Sequence, residues 1–151
     1  MNRRGFTLLE LLIVIALTIS ISAVSIPLYG NLQSSTKLDE HAYQMIDLYY
    51  YAQEKSRAGF EGDGYGLYFD PGGAKIILYK GSSYATRESN YDYELALESG
   101  VSLATTIPMN EINFSSGLGE PDNEGQIEFS FESNTKILES NMYGLIKEIS
   151  N

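Results

Sequence analysis

Hydrophobic and polar positions divide the chain into stretches of different period. From Phe6 to Leu28, 16 of 23 residues are apolar and Glu10 is the one charge. No charged residue occurs from Leu11 to Thr36. At about 1.5 Å per residue, such a run forms a helix of roughly 35 Å, enough to cross a bilayer core of about 30 Å with some tilt. Past Pro27 the apolar positions recur at spacings of three and four: Leu38, Ala42, Met45, Tyr49 and Ala52, with Ile46 and Leu48 alongside. Asp39, Glu40, Asp47, Glu54 and Lys55 fall mostly on other faces, which predicts an amphipathic continuation of the helix to about Ala58. Gly59 follows Lys55 and Arg57 and suits the helix end. The rod so predicted measures roughly 80 Å if continuous. Pro27 and Gly30 are the points at which it bends or loosens.

After Gly59 the helical period gives way to strands and turns. Glu61-Gly62-Asp63-Gly64 is an acidic loop. Tyr65 to Asp70 and Lys75 to Lys80 are aromatic and β-branched runs, and Pro71-Gly72-Gly73-Ala74 between them predicts a hairpin. Gly81 to Ala96 is polar with little periodicity, a long loop or a short irregular strand. Glu111 to Phe114 reads as a strand and Ser116 to Gly125 as a loop. Gln126 to Phe131 alternates, with Ile127, Phe129 and Phe131 on one face. Lys136 to Ser140 and Gly144 to Ile149 predict a closing hairpin that turns near Asn141-Met142-Tyr143-Gly144. The expected fold class is α+β: a long N-terminal helix, transmembrane then amphipathic, followed by a C-terminal antiparallel β-rich domain.

Composition narrows the chemistry. The chain of 151 residues carries 20 acidic and 10 basic side chains, a formal net charge of −10. Most of that charge is carried by residues 37–151, where 19 acidic side chains face 8 basic ones. Such a surface repels phosphates, so no nucleic-acid partner is expected. Cysteine is absent and His41 is the single histidine, which excludes disulfides, thiolate sites and histidine metal clusters. His41 has no serine or cysteine partner placed by a motif, and reads as a packed or solvated side chain. The loops at Glu61/Asp63 and Glu120/Asp122/Glu124 offer oxygen ligands of the kind calcium takes, but neither fits an EF-hand loop. Asp92 and Glu94 read as ordinary surface carboxylates, and the glycine-rich stretches lack the helix and lysine of a phosphate-binding loop. No catalytic set emerges, so neither enzymatic activity nor a cofactor or metal is expected.

The N-terminus holds most of the functional signal. Arg3 and Arg4 precede the apolar run and would keep the N-terminus in the cytoplasm, with the rest outside. A cleaved secretory signal, with small residues at Ser20-Ile21-Ser22-Ala23, and a plain signal anchor both leave Glu10 unexplained. A carboxylate near the centre of a bilayer helix costs about 2.5 kcal/mol or more, which makes it a functional residue by default. A cut after Gly5 would place a new amine at Phe6, four residues and one helical turn from Glu10. The two charges could then neutralise each other, within one chain or between neighbours.

Gly5-Phe6-Thr7-Leu8-Leu9-Glu10-Leu11-Leu12-Ile13-Val14-Ile15-Ala16 resembles the class III signal of type IV prepilins and type II secretion pseudopilins. The resemblance implies cleavage between Gly5 and Phe6 by a prepilin peptidase and N-methylation of Phe6. It implies that Glu10 pairs with a neighbouring subunit's amino terminus during filament assembly, and that Pro27 kinks the helix. Residues 1–5 would be the leader, 6–28 the transmembrane and assembly helix, 29–58 its amphipathic continuation, and 59–151 the globular domain.

A second resemblance rests on turn residues. Ile112-Asn113-Phe114-Ser115-Ser116-Gly117, Gly119-Glu120-Pro121, Gly125-Gln126-Ile127 and the hairpin around Gly144 are similar to the GspH/FimT-type minor pseudopilins. Some FimT-type members bind DNA through basic residues near the C-terminus. Here Lys136 and Lys147 stand against seven acidic residues from Glu120 to Glu148, so that function does not carry over.

The resemblances together imply a minor pseudopilin in a pilus-like or type II secretion filament. Its partners would be prepilin peptidase, other pilins, the inner-membrane assembly machinery and, before assembly, the lipid bilayer. The alternative is a pilus-associated adhesion or uptake subunit whose tyrosines engage a ligand such as a carbohydrate. Exposed, clustered tyrosines would favour that alternative, and packed ones the filament subunit.

Overall fold

The structure, a computed structural model, describes residues 7–59 and 62–149, with the backbone alone at residues 23–32. One helix, α1, covers Leu8–Arg57. It stops where the sequence predicts: Gly59 adopts φ +58°, and its N–H donates to the Ser56 carbonyl at 3.0 Å. A side chain with a Cβ is strained in that conformation, so glycine ends the helix at low cost. The chain divides into two compact units, Met1–Ser35 and Thr36–Asn151.

In the second unit α1 packs on antiparallel β-sheets. Tyr65–Asp70 (β1), Lys75–Lys80 (β2), Tyr93–Ala96 (β3) and Glu111–Asn113 (β5) form one sheet in the order β3-β2-β1-β5. Ser102–Thr105 (β4), Gly125–Phe131 (β6), Asn134–Ser140 (β7) and Ile146–Ile149 (β8) form the other, in the order β4-β6-β7-β8. The β1/β2 hairpin has the predicted bounds, with Tyr65 opposite Lys80 and Asp70 opposite Lys75. In the loop after β5, Phe114 forms an isolated bridge with Pro121.

The core joins the helix to both sheets. Leu38, Ala42, Met45, Leu48, Tyr49 and Ala52 meet Leu67, Phe69, Ile76 and Ile112 of one sheet and Ile127, Phe129 and Leu138 of the other in a single apolar cluster. The helical spacing of the first set and the alternation of the others are what brings them to one interior. Burial of this apolar surface is the main stabilising contribution.

Two segments differ from the sequence reading. The stretch Gly81–Ala96, read as a loop or irregular strand, folds into two short 3-10 turns and ends in strand β3. It does so because β2 is buried on both faces: Ile76 and Leu78 enter the core, and Ile77 and Tyr79 point the other way yet are also covered. The cover includes Tyr84, which stacks on Tyr68 with centroids 3.9 Å apart and meets Tyr79 at 5.6 Å. The Arg87 guanidinium lies 3.9 Å over the Tyr84 ring and is held by Asp92 at 2.8 Å. Strand β4 was not anticipated at all. Ser102, Ala104 and Thr105 carry little strand signal, and the element exists through its ladder with β6, where Leu103 faces Phe129.

Candidate functional site

The described part of the N-terminal motif begins at Thr7, the residue before α1. The Glu10 carboxylate accepts from the Thr7 backbone N–H at 2.9 Å and from the Thr7 hydroxyl at 3.0 Å. In return the Glu10 N–H donates to the Thr7 Oγ1 at 3.3 Å. This is a reciprocal capping box, in which residues three apart satisfy each other's donors at a helix start. Its T-x-x-E spacing is visible in the sequence, where Glu10 is read as the partner of a Phe6 amine, within one chain or between neighbours, and not as a helix cap. Gly5 and Phe6, the expected cleavage pair, lie outside the described residues, as does the side chain of Pro27. The α1 backbone is helical through Pro27.

Beyond the cap, the helix is apolar and uncovered. Leu8, Leu9, Leu11, Leu12, Ile13, Val14, Ile15, Leu17, Ile19 and Ile21 are all exposed, Leu8 by 81%. A stripe of this size on a soluble surface marks a membrane or a protein interface. The polar groups among them are closed on the helix itself. Thr18 Oγ1 donates to the Val14 carbonyl at 2.9 Å, Ser20 Oγ to Ala16 at 2.8 Å and Ser22 Oγ to Thr18 at 2.8 Å. Hydroxyls bonded back in this way can enter an apolar environment without an unpaired donor. Among the described residues no helix is long and apolar enough to cross a membrane. Side chains of the run Phe6–Leu28 are described only from Thr7 to Ser22.

The other candidates have local partners. His41 is buried, and its Nε2 accepts from the Glu98 N–H at 3.3 Å. Its Nδ1 is buried and has no hydrogen-bond partner. Asp92 pairs with Arg87 at 2.8 Å and Glu94 with Lys75 at 2.9 Å. Of the acidic loops, Glu61 lies outside the described residues. Asp122 accepts from the Asn113 N–H and Nδ2 at 2.8 and 2.9 Å, and Glu124 from the Met142 N–H at 3.3 Å. Among the described residues no group of three or more acidic or histidine side chains is placed to hold a metal.

The tyrosines divide between core and surface. Tyr49 is fully buried, its hydroxyl 2.8 Å from Ser140 Oγ and its ring edge-on to Phe114 at 4.9 Å. Tyr79 is also fully buried and donates its hydroxyl to Asn113 Oδ1. Burial pushes both hydroxyls above the ordinary tyrosine value. Tyr43, Tyr50, Tyr51, Tyr91, Tyr93 and Tyr143 are exposed. In the run Tyr49-Tyr50-Tyr51 the first member is buried, the second meets its ring edge-on at 5.7 Å, and the third is exposed.

Gln53 carries no motif, yet it joins two loops to the helix. It is buried, and its Nε2 donates to the carbonyls of Gly119 at 3.1 Å and Gly144 at 3.2 Å. Gly144, at φ +74°, lies so close to this amide that a Cβ there would collide with it. Both loops belong to the turn residues singled out in the sequence.

Residues 1–26 match the family described as the prokaryotic N-terminal methylation motif. No curated protein matches the chain, and no solved structure does. The motif is typical of type IV pilins and pseudopilins, which are as a rule structural subunits without enzymatic activity. It implies processing by prepilin peptidase, an inner-membrane-anchored precursor and later assembly with other pilins.

Proposed function

We propose that the chain is a minor, GspH/FimT-type subunit of a type II secretion pseudopilus or a type IV pilus-like filament. The observation that carries the reading is the methylation motif over residues 1–26, continuous with a helix whose distal half is packed on antiparallel sheets. In this reading prepilin peptidase cuts between Gly5 and Phe6 and methylates the Phe6 amine. The exposed apolar face of α1 rests in the bilayer and then packs against neighbouring helices. Glu10 pairs with the Phe6 amine of an adjacent subunit, and Pro27 bends the helix. The acidic second unit faces outward toward other pilins and the assembly machinery.

The capping box adds a step. Before assembly the Glu10 carboxylate is held by Thr7, and a charged amine offers it a stronger, charge-assisted bond than a hydroxyl does. Mass spectrometry of the mature protein should find N-methyl-Phe6 at its start. Glu10→Gln should leave that cleavage intact and remove the chain from sheared filaments. An intact Met1, or full incorporation of the Gln variant, would overturn the assignment.

A further inference from the structure

Strand β3 lies at the end of its sheet, and the backbone bonds around it fix which of its groups are open. In an antiparallel pair the N–H and C=O of one residue point to the same neighbour, and those of the next residue point the opposite way. The Leu97 N–H donates to the Ala74 carbonyl at 3.0 Å, in register with Leu95 opposite Ile76 and Tyr93 opposite Leu78. Tyr93, Leu95 and Leu97 therefore turn their backbone groups to β2, and Glu94, Ala96 and Glu98 turn theirs away. The far side of β2 agrees. The Gly81 N–H donates to the Gly64 carbonyl, so the odd residues of β2 face β1 and its even ones face β3. Helix α1 uses the open edge once: His41 Nε2 accepts the Glu98 N–H at 3.3 Å, in place of the carbonyl of a further strand. Among the described residues, the backbone groups of Glu94 and Ala96 have no such partner.

Between α1 and β3 lies a groove of about 670 Å³. Tyr51 of α1 and Tyr93 and Leu95 of β3 form its walls, over a base of buried Leu48, Tyr65 and Leu78. Side chains alternate along a strand, so a strand laid on β3 would hang every second side chain on the face of Tyr93 and Leu95, into this groove. Two of the groove's polar groups are engaged already: Gln44 donates to Glu40 at 3.2 Å, and Lys55 Nζ lies 5.4 Å from the Tyr51 ring centre. An incoming side chain meets the apolar base, the Asp47 carboxylate and the Tyr93 ring, which is 57% exposed. Lysine or arginine suits all three, since the methylene stem covers apolar surface and the charge meets a carboxylate and a ring face. Lys55 stands eight residues beyond Asp47, about 12 Å along the helix, farther than a Debye length of about 8 Å. The surplus of acidic side chains over residues 37–151, 19 against 8, attracts the same positive sign. A second copy of the chain would bring an equal negative charge to the edge.

We propose that the open edge of β3 takes an extended segment of a partner protein, which pairs with the backbone of Glu94 and Ala96 and places a basic side chain in the groove. An extended backbone is what offers donors and acceptors at the two-residue spacing of this edge, and alternate side chains then give the specificity. The proposal goes beyond the filament reading and uses none of residues 1–26.

The full chain in detergent would be titrated with the acetylated, amidated peptide Thr-Val-Lys-Val-Thr, followed by NMR of the backbone amides. In the free chain the amides of Tyr93 and Leu95 should resist hydrogen exchange, and those of Glu94 and Ala96 should gain resistance only when peptide is bound. N-methylation of the peptide amides along one edge should raise the dissociation constant at least about tenfold, and along the other edge less than about threefold. Glutamine in place of the peptide lysine should weaken binding about threefold, and glutamate more. Asp47→Asn should remove the preference for lysine over glutamine. Ala96→Pro deletes an N–H that faces away from β2, where a sheet tolerates proline, and should abolish binding with the other amide signals retained. No binding at millimolar peptide, equal losses from both N-methylated forms, preference for the glutamate peptide, or self-association of the chain through β3 in place of peptide binding would each overturn the proposal. Glu10→Gln should leave peptide binding unchanged, so this proposal and the filament reading can fail separately.

Discussion

The two halves of α1 handle their polar and apolar side chains in opposite ways. Between Thr7 and Ser22 the leucines and isoleucines face outward, and Thr7, Glu10, Thr18, Ser20 and Ser22 bond within their own helix. Between Lys37 and Arg57 one face of apolar side chains enters the core, and several polar side chains reach other elements. Gln53 holds two loop carbonyls, Tyr49 meets Ser140, and Ser56 accepts the β1 N–H of Tyr65 at 2.8 Å. One secondary structure thus serves two solvents. The first half is finished only when something apolar surrounds it, and the second carries its surroundings with it.

Paired substitutions in the full chain would test this contrast, with unfolding of the second unit followed by denaturant titration. Met45, fully buried, should cost about 3 kcal/mol when replaced by Ala, whereas Leu12→Ala, at an exposed site, should change that stability by less than about 0.5 kcal/mol. Comparable losses from both would mean the halves are not distinct. Next in size is Gln53→Ala, expected to cost about 2 kcal/mol because two carbonyls lose their donor. Its counterpart Ser20→Ala removes only a bond internal to its helix and should leave the second unit unchanged.

The smallest effect is Tyr49→Phe, about 1 kcal/mol at neutral pH, since Ser140 loses its partner. The buried tyrosines also set a direction with pH. Below the ordinary tyrosine value, about 10, both hydroxyls are neutral folded and unfolded, and their stabilisation is fully present. Above it the unfolded chain ionises first, so stability should fall as the pH rises toward the higher folded values. Absorbance titration should show Tyr49 and Tyr79 ionising only with unfolding. Ionisation of either hydroxyl in the still-folded protein would contradict its burial.

What was legible in the sequence was local. The helix announced itself by spacing and by Gly59, and the β1/β2 hairpin by two strand runs around Pro71-Gly72-Gly73-Ala74. The segment before β3 and strand β4 were not, because each takes its form from a distant partner: Tyr84 from Tyr68 and Tyr79, Leu103 from Phe129. The same reason hid the groove. Tyr51 and Tyr93 are 42 positions apart in the chain and share a wall only after β3 joins β2. Thr7-Leu8-Leu9-Glu10 differs from these, since its capping signature is local. There a functional reading of the glutamate obscured a structural one.

Strand β2 carries a consequence for the life of the chain before it folds. Its sequence, Lys75-Ile76-Ile77-Leu78-Tyr79-Lys80, is apolar on both faces because the folded protein covers both. Unfolded, four such residues in a row are a short segment prone to pair with copies of itself. A lysine closes each end, and like charges brought into register by stacking repel one another. In the folded state those lysines are paired, Lys75 with Glu94 and Lys80 with Glu88. The same two charges therefore guard against aggregation in the nascent chain and fasten β3 and the segment before it once folding is complete.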